Sequence, residues 1–123
     1  MQTYKENLIQ GIVEMVNESW RLYRYTSNLV SMIADAKMQK KGQNQITRFY
    51  KHMNSAMEKM GIEIVDMTGM VYETGLPVYP INLGDFPAEE ELVIELMMEP
   101  TIKRRGSAEI VKKGAVVLGR REA

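Results

Sequence analysis

The chain of 123 residues has no cysteine, a single histidine and a single tryptophan. Without cysteine there is no disulfide, no thiol nucleophile and no thiolate metal site, a composition compatible with a reducing compartment. His52 stands alone, so the two-histidine zinc motifs cannot be built. No serine is spaced to act with it as a nucleophile, and it reads as a surface or boundary residue of a helix. No apolar run approaches the roughly 20 residues that span a bilayer, and no charged-then-apolar leader opens the chain. A soluble, cytoplasmic protein with no membrane partner is therefore expected. The formal net charge is zero, which argues against a dedicated nucleic-acid binder, whose affinity comes largely from neutralising phosphates. No Gly-x-Gly-x-x-Gly run and no P-loop appears, so no phosphate cradle is signalled. Neither a cofactor nor a metal is expected.

What is present is methionine, 11 of them against an aromatic share of 7%. Methionine fills irregular gaps in a core and also suits adaptable apolar surfaces. The charges, balanced in sum, are segregated along the chain. Between Gly61 and Glu99 stand Glu63, Asp66, Glu73, Asp85, Glu89, Glu90, Glu91, Glu95 and Glu99, with no lysine or arginine. From Pro100 onward Lys103, Arg104, Arg105, Lys112, Lys113, Arg120 and Arg121 face only Glu109 and Glu122. Such stretches pair across strands or form a bipolar docking face.

The first segment runs to about Lys41 without a proline. Leu8, Ile12, Met15, Ser19, Leu22, Thr26, Leu29, Ile33 and Ala36 alternate steps of four and three, the heptad rhythm of a coiled coil. Val13, Val16, Trp20, Tyr23, Val30 and Ala34 form a second stripe beside it. Two adjacent stripes predict a helix that packs on its own chain and on another subunit. Leu8, Ile12, Met15, Leu22, Leu29 and Ile33 are the expected dimerisation residues. The run "KKGQNQ", Lys40 to Gln45, is read as the break, with Gly42 as a helix C-cap and Asn44 capping a second helix. That helix carries Ile46, Tyr50, Met53, Met57 and Met60 and ends at Gly61.

After Gly61 the period changes from 3.6 to 2. Ile62 to Met67 reads as a strand, Gly69 as a turn, and Met70 to Tyr72 as the return strand of a hairpin. The stretch "TGLPVYPINLGDFPAEEE" reads as a loop with an extended piece at Val78 to Ile81. Leu92 to Met98 is a strand that sets Val93, Glu95 and Met97 against Leu92, Ile94, Leu96 and Met98. Thr101 to Lys103, Ala108 to Val111 and Ala115 to Leu118 are further short strands, punctuated by glycines as in a small barrel or folded-over sheet. The fold class expected is α+β: a helical dimerisation arm over residues 1–60 and a small β-rich head over 61–123.

Nothing in this pattern specifies an active site. Glu89, Glu90 and Glu91 read as a solvated turn or the start of a one-turn helix, and acid–base chemistry from the acidic stretch stays a third reading. The order of arm and head resembles GrpE-type nucleotide exchange factors of DnaK-type chaperones. "MEKMGIEIVDMTGMVYE" is similar to that family's helix end, its Gly-Val-Glu step and its Gly-x-x-Phe-Asp segment, matched by Gly61, Ile62 and Glu63 and then by Gly69, Tyr72 and Glu73. "GSAEIVKKGAVVLGR" is similar to the Val-x-x-Val-x-x-x-Gly-Tyr-x-Leu segment through Ile110, Gly114 and Leu118. The family's Pro-x-x-His-Glu-Ala motif is absent after Glu73, where "TGLPVYP" stands, and its Arg-Pro-Ala-x-Val segment is not seen through Ala123. The resemblance implies a homodimer that docks on a chaperone ATPase domain and promotes nucleotide release, with no bond chemistry of its own. Met97, Met98, Lys103, Arg104, Arg105 and Val117 are the expected partner contacts, chosen as exposed apolar and basic residues of the head. The alternative is a non-enzymatic oligomerising adaptor of a larger protein complex.

Overall fold

Helix α1, Tyr4–Ser31, opens on a reciprocal cap. The Thr3 hydroxyl accepts from the Glu6 backbone N–H at 3.1 Å, and the Glu6 carboxylate accepts from the Thr3 N–H at 3.2 Å. Two of the unsatisfied donors at the helix start are thereby paired. The structure, a computed structural model, describes residues 3–121. Within it α1 ends ten residues before Lys41, the expected end of the first segment, and the chain turns through Met32 to Asp35. The Asp35 carboxylate accepts from Met38 N–H at 2.9 Å and starts α2, Ala36–Lys59. The expected break at Lys40 to Gln45 is thus helix interior, and neither Gly42 nor Asn44 caps anything. An aspartate that satisfies an orphan N–H stops the chain more effectively than a glycine whose helical neighbours continue on both sides.

Gly42 has a different use. It lies where α2 passes α1, and a Cβ there would stand 2.9 Å from Val30 Cγ2. Alanine at position 42 gains about 1 kcal/mol of helix propensity but drives a methyl into a β-branched side chain that has little rotamer freedom. Gly42→Ala is expected to lose about 1 kcal/mol overall in urea unfolding, yet to gain about 1 kcal/mol in a Val30→Ala background. Equal effects in the two backgrounds would remove the close-approach account.

The two helices are antiparallel, since Trp20 and Tyr23 near the middle of α1 meet Tyr50 of α2 with ring centroids 6.3 and 4.6 Å apart. Val16, Trp20, Met53 and Met57 are buried, each worth roughly 1.5–3 kcal/mol of apolar transfer. Val13, Tyr23 and Val30 are half-buried, so the second apolar stripe is the one the hairpin uses internally. Asn17 is buried too, and its Oδ1 has no hydrogen-bond partner among the described residues.

The chain divides after Gly61 into two compact units. Met60 closes α2, and Gly61, at φ 75°, takes the left-handed conformation that releases the chain into a strand,. The second unit holds β1 (Ile62–Val65), β2 (Val78–Pro80), a single 3₁₀ turn (Leu83–Asp85), β3 (Leu92–Glu99), β4 (Thr101–Arg104), β5 (Ile110–Lys112) and β6 (Gly114–Arg120). They form two three-stranded sheets, in the orders β1-β4-β5 and β2-β6-β3. Two helices followed by a small β region make this an α+β protein.

The hairpin expected around Gly69 does not form. β1 pairs antiparallel with β4, Glu63 opposite Lys103, and the two side chains form an ion pair at 3.3 Å. Residues 69–72 instead run along β3: Gly69 N–H donates to Ile94 O, Ile94 N–H to Met70 O and Tyr72 N–H to Leu92 O. This segment covers the free edge of β3, which would otherwise present unpaired donors and acceptors. The core of the unit is Ile62, Met67, Val78, Leu92, Ile94, Met97, Ile102, Val116 and Leu118. Buried Thr101 is satisfied, its hydroxyl donating to Pro77 O at 2.9 Å and accepting from Gly114 N–H at 3.2 Å. Asn82 adds two strand-like bonds to β6, accepting from Leu118 N–H and donating to Leu118 O.

Candidate interaction surfaces

On α1 the first stripe is left open. Leu8, Met15, Leu22 and Leu29, spaced seven apart, are between 49% and 63% exposed, while Ile12, between two of them, is half-buried. Tyr25 and Met32, also seven apart, are exposed. Leu22 opens onto an apolar groove of about 200 Å³ completed by Tyr23, Thr26, Gln45, Ile46 and Phe49. Ile33 does not belong to this row. It follows the end of α1, its N–H turning back to Val30 O, so the helical stripe ends at Leu29. Tyr25 and Met32 were not evident as surface residues from the heptad positions alone, because which side of a wide apolar face turns inward depends on where α2 lies.

In the second unit the registers decide which side chains share a face. Tyr79 and Glu99 lie opposite Ala115, Leu96 opposite Val117, and Val93 opposite Gly119. These positions occupy one face of the β2-β6-β3 sheet, and Val116, Leu118, Ile94 and Met97 occupy the other, which is buried. Simple alternation would have put Met97 outward with Val93 and Glu95. The β3-β6 register shifts between Ile94 and Leu96 and again between Met97 and Glu99. Each shift inserts one extra residue, as in a β-bulge, so Ile94 and Met97 both point inward though three apart. Met97 is 1% exposed, and its sulfur accepts from Met67 N–H at 3.0 Å. It is a core residue and cannot serve as an exposed partner contact. Met98, displaced by the second bulge, is exposed, and Val117 is half-buried on the open face. Leu96, half-buried, and Tyr79, 66% exposed, join Val117 there. The signal for Tyr79 was an aromatic on a short strand between two prolines. Leu96 could be assigned only with the bulge.

Lys103, Arg104 and Arg105 lie on the other sheet and its β4–β5 turn. Lys103 is held by Glu63, and Arg104 by Glu109 at 3.5 Å. Arg105 is exposed and makes no ion pair among the described residues. The acidic and basic stretches largely pair with each other: Lys112 with Glu99 at 3.1 Å, Arg120 with Glu90 at 2.5 Å, and Arg121 with Glu91. These exposed or partly exposed pairs contribute little each, but they tie the end of β6 to the turn that precedes β3.

A second concavity of about 400 Å³ lies within the head, among Tyr72, Glu73, Thr74, Phe86, Glu90 and Leu92. His52 is exposed on α2 beside Arg48 and Phe49. No group of three or more potential metal ligands converges among the described residues. Among them, no helix is long and apolar enough to cross a membrane. No protein-family model, curated protein or solved structure matches this chain.

Proposed function

We propose that this protein acts by binding, as a GrpE-like co-chaperone: a cytoplasmic homodimer joined through α1 whose head docks on the ATPase domain of a DnaK-type chaperone and promotes nucleotide release. The observation that carries this reading is the stripe Leu8, Met15, Leu22 and Leu29, left open on a hairpin whose other apolar face is already filled. A row of exposed leucine and methionine at heptad spacing is costly to leave in water and self-complementary. Gly61 then joins this arm to a separately packed β unit, at the step where the sequence resembles the exchange factors.

In this reading the head contributes an apolar face (Leu96, Val117, Tyr79 and the neighbouring Met98) and a basic turn (Lys103, Arg104, Arg105). Nucleotide release follows from differential affinity: a head that binds the open, nucleotide-free ATPase domain more tightly than the closed one shifts the population toward the open state by that ratio. No group of this chain makes or breaks a bond. In stopped-flow measurements, saturating protein is expected to accelerate release of a fluorescent nucleotide from a DnaK-type ATPase at least about tenfold, corresponding to about 1.4 kcal/mol of differential binding. An unchanged rate at saturation ends the co-chaperone reading. The departure from the family after Glu73 favours the alternative, an oligomerising adaptor of another complex, which predicts the same dimer and no effect on release.

A further inference from the structure

We propose that the head carries a receptor cleft for a single arginine or lysine side chain of a partner protein, built by Tyr72, Glu73, Phe86, Glu90 and Leu92. The cleft measures about 400 Å³, at the lower end of the range of small-molecule clefts and ample for one long side chain. Leu92 is buried, and Tyr72 and Phe86 are half-buried, which offers apolar and aromatic walls for a methylene stem. Its charged lining residues are Glu73 and Glu90, and no lysine or arginine is part of the lining.

The balance of these carboxylates points to a cation. Glu90 uses Oε1 for Arg120 at 2.5 Å. Glu73 is exposed and makes no ion pair among the described residues. The same wall already holds one guanidinium: Arg120 Cζ is 5.6 Å from the centroid of the Phe86 ring while its Nε bonds Glu90. Arg120 is not among the residues lining the cleft, so the cleft keeps an unneutralised carboxylate, a second aromatic side chain and an apolar base. Long cationic side chains bury their stems on apolar surface and place the charge on carboxylates or ring faces. Two carboxylates alone make a poor metal cage, and a neutral ligand would leave Glu73 unanswered.

Tyr72 to Thr74 is where the likeness to exchange factors stops, and the turn carrying Glu90 is held to the end of β6 by the Arg120–Glu90 and Arg121–Glu91 pairs. The cleft is independent of the identity proposed for the partner.

The test uses the full chain, ¹⁵N-labelled, titrated with N-acetyl-arginine methylamide, its lysine counterpart, and the citrulline compound as a neutral isostere. The arginine and lysine probes should shift amides of Tyr72 to Thr74 and Phe86 to Leu92 with saturation on the order of 1 mM, as befits one side chain. Citrulline should not. Glu73→Gln, an exposed substitution whose remaining spectrum reports on the fold, should weaken binding about tenfold. Raising the salt should weaken it further. Equal shifts with citrulline, shifts scattered over other acidic residues, or binding untouched by Glu73→Gln would overturn the proposal. So would concentration-dependent shifts of the same amides without probe, which would make a second copy of the chain the occupant.

Discussion

Replacing Met15 and Leu22 together by glutamate is expected to convert a dimer into a monomer. Both residues lie on the open stripe of α1, one heptad apart and more than half exposed in the single chain. Burying each in a dimer is worth roughly 1.5–3 kcal/mol, and the substitution removes four such side chains per dimer. It also sets like charges against one another across the seam. A loss of about 6 kcal/mol, or roughly 10⁴ in Kd, follows. Glutamate is a good helix former, and both side chains are more than half exposed in the single chain, so helicity by circular dichroism should persist while sedimentation equilibrium shows the halved mass. If the double variant stays dimeric, the stripe is not the seam. If the parent chain is monomeric at about 100 μM, roughly the range of weak self-association, the dimerising arm is not one.

The second large effect is expected in the head. Gly114→Val should strongly destabilise it and leave the helical hairpin in place. Gly114 begins β6 close against the ends of β3 and β4, and its N–H donates to Thr101 Oγ1 at 3.2 Å. A Cβ there would stand 2.7 Å from Met97 Cε, 2.8 Å from Glu99 O and 2.8 Å from Thr101 Oγ1. The methionine end can swing aside, but a backbone oxygen in a paired strand cannot, and the threonine is held by its own hydrogen bonds. Overpacking of this kind costs about 3 kcal/mol, a large share of the stability of so small a unit. The melting temperature of the head, followed by dispersion of its amide resonances, should fall by about 12–24 °C or the head should be unfolded from the start. The helical signal should remain, because the hairpin is a compact unit of its own. A variant that melts within about 2 °C of the parent would show that β6 does not approach β3 and β4 this closely.

How much of this was legible in the residue order varies with the range of the interaction involved. The joint at Gly61 was readable because it is local: a helical row of methionines, a glycine that can take positive φ, then alternation at period 2. The place where the hairpin turns lies before the expected break at Lys40 to Gln45, because the Asp35 carboxylate caps α2 and Gly42 is interior to it. Gly42 instead serves the close passage of Val30, which the residue order alone does not reveal. The exchange of Met97 and Leu96 between faces was invisible, because a bulge is a property of two strands and β6 lies some twenty residues downstream of β3. The pairing of Glu63 with Lys103 rather than a return strand at Met70 depended likewise on a distant partner. The charge stretches could be seen but not their use, which required the registers that bring Glu99 to Lys112 and Glu90 to Arg120.

The amino-acid order therefore determined the α+β division, the heptad stripe on α1 and the absence of thiol chemistry, because periodicity and composition act within a few residues of each position. Tertiary structure decided which stripe is filled and which stays open, which methionine is core and which is surface, and that Tyr72, Glu73, Phe86 and Glu90 enclose one cleft. Those outcomes are set by pairing between segments far apart in the chain, where a shift of one residue turns a side chain from one face of a sheet to the other.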